Sequence, residues 1–146
     1  MQTANESIKR LNSFLRGEIS AVETYRQALE KVEYNSIART ALKMCQQSHA
    51  DRILKLRDRI VELGGEPDSS SGVWGVFAKS VEGSAKVFGE KTAIAALEEG
   101  EDHGLRDYRS DVEKLDARER VFVETQILPA QERTHEAMSR LKHTLH

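Results

Sequence analysis

Cysteine appears once in this chain and proline twice. A lone Cys45 cannot close an internal disulfide, so nothing points to an oxidising compartment. With so few prolines, and with Glu, Lys, Arg, Ala and Leu dominant, helix is favoured over strand. An excess of one charge is also missing. The 22 basic and 24 acidic residues are intermixed and leave a net charge of −2. That balance provides neither a basic footprint for nucleic acid nor an acidic tail. No apolar run approaches the length of a membrane span, and the opening MQTANESIKR lacks the apolar core of a signal peptide. The expectation is a cytoplasmic protein with no transmembrane segment. At 146 residues it should form a single domain over 1–146.

What is present is helical periodicity. The first helix is expected from near Asn5 to about Val32, with Ile8, Leu11, Leu15, Glu18, Val22, Tyr25, Leu29 and Val32 on its buried stripe. Asn35 or Ser36 should cap a second helix that carries Leu42, Gln46, His49, Ile53, Leu56, Ile60 and Leu63 and stops at Gly64-Gly65. Residues from about 64 to 89 read as an amphipathic crossover segment with Trp74, Phe77, Val81 and Phe88 on one face. The sharper reading of that face is contact with a membrane or a protein. A third helix should run from about Glu90 to Leu115, with Ile94, Glu98, Glu101, Leu105 and Tyr108 inward. A fourth should place Val121, Thr125, Leu128, Glu132, His135 and Met138 inward, with Pro129 kinking or bulging the turn before Glu132.

One pattern recurs. Gly17-Glu18, six residues and Tyr25 are matched by Gly100-Glu101, six residues and Tyr108. Each copy is followed about thirty residues later by a polar residue and a histidine three apart, Gln46 with His49 and Glu132 with His135. A carboxylate on one helix with Glu-x-x-His on its neighbour, given twice, is the ligand set of a carboxylate-bridged di-metal site in a four-helix bundle. At ~1.5 Å per residue the six positions fall at similar heights above their turns. Burying such carboxylates unpaired is prohibitive, and mixed carboxylate and imidazole ligation suits iron or manganese. Tyr25 and Tyr108, two turns beyond the glutamates, could donate to ligands across the bundle. His103, His143 and His146 have no matched partner and read as ordinary helix residues. Cys45 reads as a small buried hydrophobe.

These motifs resemble the ferritin-like superfamily, within it the rubrerythrin branch, and a small bacterial family of four-helix-bundle proteins described as a domain of unknown function. The resemblance implies an all-α, ferritin-like four-helix bundle with an amphipathic crossover between helices 2 and 3. It implies Glu18 and Glu101 as terminal ligands, Glu132 as a bridging ligand, and His49 and His135 as nitrogen ligands. Two departures matter. Gln46 stands where a bridging glutamate is usual, so it is a weak ligand or supports one, and the second of two iron ions should bind more weakly. Glu98, one turn before Glu101, is the candidate substitute. There is also no cysteine cluster for a rubredoxin-type iron centre. The expected function is oxygen, peroxide or iron redox chemistry of ferroxidase or peroxidase type, with manganese or zinc as other metals. No residue is assigned a catalytic role apart from the metal ligands. The alternative is a non-catalytic structural or interaction bundle that uses the crossover face. Homo-oligomerisation stays open.

Overall fold

The computed structural model describes residues 4–70 and 89–144. All of the regular structure among them is helical. Helix α1 spans Ala4–Leu29, α2 spans Ser36–Glu62 and α3 spans Glu90–Asp111, which tightens into a 3₁₀ turn at Val112–Lys114. The fourth helix, α4, has three parts: Ala117–Phe122, a π-helical turn at Val123–Ile127, and Leu128–Thr144. Trp74, Phe77, Val81 and Phe88 lie outside the described residues.

Local chemistry sets the helix ends. Asn35 caps α2, its Oδ1 accepting the Ala38 N–H at 3.0 Å, while its amide reaches Glu90 at 2.6 Å and ties down the start of α3. After α2 the chain turns at Gly64, whose φ of 81° is a left-handed conformation costly for any residue with a side chain. Gly65 packs so closely on α1 that a Cβ there would stand 2.7 Å from Ile8. Asn12 of α1 then clamps the outgoing strand of chain, donating to the Glu66 carbonyl and accepting from the Asp68 N–H. Asp116 caps α4 by accepting from the Glu119 N–H, and also takes the Ser7 hydroxyl.

The helices pack in the cyclic order α1, α2, α4, α3. Two apolar clusters fill the space between them. One is built around Tyr25, Leu42, Ile94, Leu97 and Met138, the other around Leu11, Leu15, Leu56, Ile60 and Ile127. On every helix one stretch lies between the two clusters. It contains Glu18 on α1, His49 and Arg52 on α2, Glu101 on α3, and Gln131 and Thr134 on α4, all buried. A polar layer therefore separates two apolar ones.

Two of the expected stripes differ from those observed. On α2 the buried line is Ala38, Leu42, Cys45, His49, Arg52, Leu56 and Ile60, so Arg52 points inward where Ile53 was expected. On α4 the buried line is Val123, Ile127, Gln131, Thr134, Met138 and Leu141, whereas Val121 is 59% exposed. The cause lies next to Pro129. Proline has no N–H to return to the carbonyl of Thr125, and its ring crowds that carbonyl. The turn widens instead, with the Leu128 N–H bonding back to Val123. A widened turn takes up one extra residue.

Candidate functional site

Imidazole His49 is fully buried, and each of its ring nitrogens faces a carboxylate: Nδ1 meets Glu18 Oε1 and Nε2 meets Glu101 Oε2 at 2.7 Å. A neutral imidazole carries one N–H and one lone pair, so only the doubly protonated ring satisfies both contacts. Arg52, 1% exposed, lies beside it. Its Nη1 donates to Glu18 Oε2 at 3.3 Å and to Gln131 Oε1, and its Nη2 donates to Ser48 and Thr134 at 3.0 and 2.9 Å. Gln131 and Thr134 in turn donate to Glu101 Oε1 at 3.0 and 2.7 Å.

The tyrosines cross over. Tyr25 on α1 donates to Glu101 on α3, and Tyr108 on α3 donates to Glu18 on α1. Every one of the four carboxylate oxygens thus accepts a hydrogen bond. Two carboxylates, one imidazolium and one guanidinium sum to zero charge. This is the condition under which buried ions are tolerated.

The electrostatics follow from that pairing. Burial pushes the Glu18 carboxyl up, but Arg52 and then His49 outweigh it and bring its pKa down to about 2. Glu101 is likewise held below the usual carboxylate range: burial opposes this, while His49 and then Arg52 win. For His49, burial and Arg52 work against the proton, but Glu101 and Glu18 on either side raise its pKa. Burial, then the adjacent carboxylate, pushes Tyr25 and Tyr108 well above their ordinary values. The Cys45 thiol is pushed up to about 12, first by burial and then by Glu101, which makes it unreactive.

Of the residues read as metal ligands, Glu18, His49 and Glu101 come together, with Tyr25 and Tyr108 as their donors. The others do not join them. Gln46 turns aside and donates to the Val22 carbonyl at 3.3 Å. Glu98 faces Lys142 at 3.5 Å. Glu132 lies on the surface against Arg109, and His135 pairs there with Asp102 at 2.8 Å. The phase of α4 accounts for the last two, since Gln131 and Thr134 take the inward positions.

Arg52, Gln131 and Thr134 were missed by the sequence reading. A signal existed for each. Continuing α2 from Leu42 and Cys45 through His49 by alternating steps of three and four lands on Arg52. Counting back from Leu141 and Met138 by the same steps lands on Thr134 and Gln131.

A dinuclear carboxylate centre asks for four carboxylates and two imidazoles. Here two carboxylates and one imidazole converge, and to ligate a metal that imidazole must give up a proton and a carboxylate contact. A divalent ion would also sit beside a fixed guanidinium. The residues in this arrangement do not fit two metal ions. Among the described residues, no group of three or more His, Cys, Asp or Glu side chains is disposed to hold one.

Fold and site together define an all-helical bundle with a charge-balanced carboxylate, histidine and arginine layer in its core. The chain belongs to the family described as a domain of unknown function, DUF2383, whose model matches residues 6–114. The match takes in α1, α2 and α3, and with them Glu18, His49, Arg52 and Glu101, and ends before α4. No curated protein and no solved structure matches the chain. Among the described residues, no helix is long and apolar enough to cross a membrane.

Proposed function

We propose that the chain is a non-catalytic, ferritin-like four-helix bundle serving as a structural or interaction module, its core held by an internal ion network in place of a metal centre. The observation that carries this reading is Arg52. A fully buried guanidinium on Glu18, Gln131 and Thr134 supplies the positive charge that a divalent ion would otherwise bring to those carboxylates. Such a network needs no metal to be stable. Protein purified without chelators should therefore carry iron, manganese and zinc at levels far below one ion per chain, and its melting temperature should not respond to EDTA. Near-stoichiometric metal that disappears in Glu101→Gln would overturn the proposal.

The convergence of Glu18, His49 and Glu101 favours a second reading, a mononuclear site for iron, manganese or zinc formed when Arg52 withdraws. Glu18 also lines a small cleft of about 20 Å³ between α1 and α3, with Gly17 and Gly104 on its wall. A bound iron would supply oxygen or peroxide redox chemistry, with Tyr25 and Tyr108 orienting the carboxylates. Anaerobic ferrous titration followed by air separates the two. A near-ultraviolet band appearing at one equivalent supports the metal reading, and its absence supports the ion network.

A further inference from the structure

We propose that the seam between α2 and α4 is a binding site for a small oxyanion, a carboxylate or a phosphate. A groove of about 410 Å³ runs there, on the opposite side of the bundle from the α1–α3 cleft. Ser48, Arg52 and Lys55 line it from α2. Their spacing of four and three sets them in one row along the helix. Arg133 faces them from α4, and the small side chain of Ala130 keeps the groove open.

The polarity of this row is unbalanced. Lys55 and Arg133 are exposed and make no ion pair among the described residues. Ser48 accepts a hydrogen bond from Arg52 Nη2 at 3.0 Å, which takes one of its oxygen's two lone pairs. Its hydroxyl proton has no acceptor among the described residues and is available to a ligand. The one carboxylate on the groove is Asp51, and its Oδ1 is already engaged by Gln47 at 2.9 Å. Although Arg52 is set against Glu18, Lys55 and Arg133 still outnumber Asp51. Two cations and a hydroxyl donor lining one groove from two helices supply the donors that an acceptor-rich oxyanion needs. Met44, 69% exposed at one end of the groove, offers an apolar wall for the remainder of an organic acid or phosphate ester.

The test uses the full-length protein labelled with ¹⁵N and titrated separately with inorganic phosphate and with succinate, ionic strength being held constant with sodium chloride. Saturable amide shifts confined to residues near Ser48, Lys55, Ala130 and Arg133 are expected with at least one of the two, and the preferred anion identifies the source. The double variant Lys55→Gln, Arg133→Gln should abolish saturation while its circular dichroism stays unchanged. Ser48→Ala should weaken binding by roughly ten-fold, the loss of one hydrogen bond to a charged group. Shifts that rise linearly with both anions, or that saturate equally in the double variant, overturn the proposal.

Discussion

The two halves of the bundle begin alike and end differently. Helices α1 and α3 each bring a buried glutamate and, seven residues on, a tyrosine that reaches the glutamate of the other half. Their partner helices each bring two inward polar residues three apart. On α2 these are His49 and Arg52, both cationic, and on α4 they are Gln131 and Thr134, both neutral. Both positive charges that balance the core therefore come from one helix. The neutral pair supplies geometry, relaying Arg52 to Glu101 and filling the remaining acceptor positions. The core is pseudo-symmetric in its acids and asymmetric in its bases, so α2 should tolerate substitution far less well than α4.

Removing a cation should break this arrangement most severely. Arg52→Ala leaves Glu18 and Glu101 sharing one imidazolium, one buried negative charge in excess, and strands the Gln131 carbonyl, and should cost about 3–5 kcal/mol in urea denaturation. Pairing it with Glu18→Gln should recover much of that loss, because the double variant removes the charge left unpaired. A double-mutant cycle with no coupling between the two positions would refute the ion network.

pH should probe the other cation. The pKa of His49 is raised from 6.5, so its stabilisation is complete below that value and is lost as pH rises through the folded-state pKa. The pKa of Glu18 falls from 4.5 to about 2, so its share is complete above 4.5 and is lost as pH drops toward 2. Stability should thus be greatest between pH 4.5 and 6.5 and fall on both sides. Melting temperatures of the wild type and of His49→Gln, measured across that range and up to pH 9, check this. The alkaline decline that begins above 6.5 should be missing from the variant, and a decline of equal size in both would assign it elsewhere.

Much of this core was legible in the sequence, and the misses have a shared origin. The repeated Gly-Glu-x6-Tyr located Glu18, Glu101, Tyr25 and Tyr108, and the apolar steps around it located His49. The all-helical architecture and the turns at Asn35 and Gly64 were equally plain, because capping residues and helix stops act locally. The errors arose where a motif was allowed to set a helix's phase. Glu132-x-x-His135 fixed the reading of α4, although at about 100° per residue Glu132 lies about 140° and His135 about 80° from the stripe through Gln131, Thr134, Met138 and Leu141. On α2 a buried arginine was passed over because guanidinium is so rarely buried, and the apolar Ile53 beside it was taken instead. What the sequence could not display was the compensation that permits Arg52 inside, which depends on four helices meeting at one level.

The neutral pair on α4 should yield an intermediate effect. Gln131→Ala removes the acceptor of an Arg52 bond and a donor to Glu101, but leaves the charges balanced, and should cost about 1–3 kcal/mol. Thr134→Val keeps the volume and loses only the hydroxyl, so it should fall at the lower end of that range. Thermal denaturation of the two variants beside Arg52→Ala ranks the halves. If either α4 variant proved as damaging as Arg52→Ala, the supposed difference between the cationic and neutral helices would fail.

The smallest effect should come from the residues that first drew attention. Glu132 and Arg109 stand 3.4 Å apart with about half of each side chain in water, and His135 meets Asp102 at the rim of the same surface. Exposed pairs of this kind gain little, since solvent screens the attraction and ordering two side chains costs entropy. Glu132→Ala and His135→Ala should each change stability by less than about 0.5 kcal/mol. They should leave any metal uptake by the protein as it is in the wild type. A loss of several kcal/mol, or of bound iron, in either variant would mean that α4 turns those side chains inward in solution. The π-helical turn before Pro129 would then not hold the phase that brings Gln131 and Thr134 to Arg52 and Glu101.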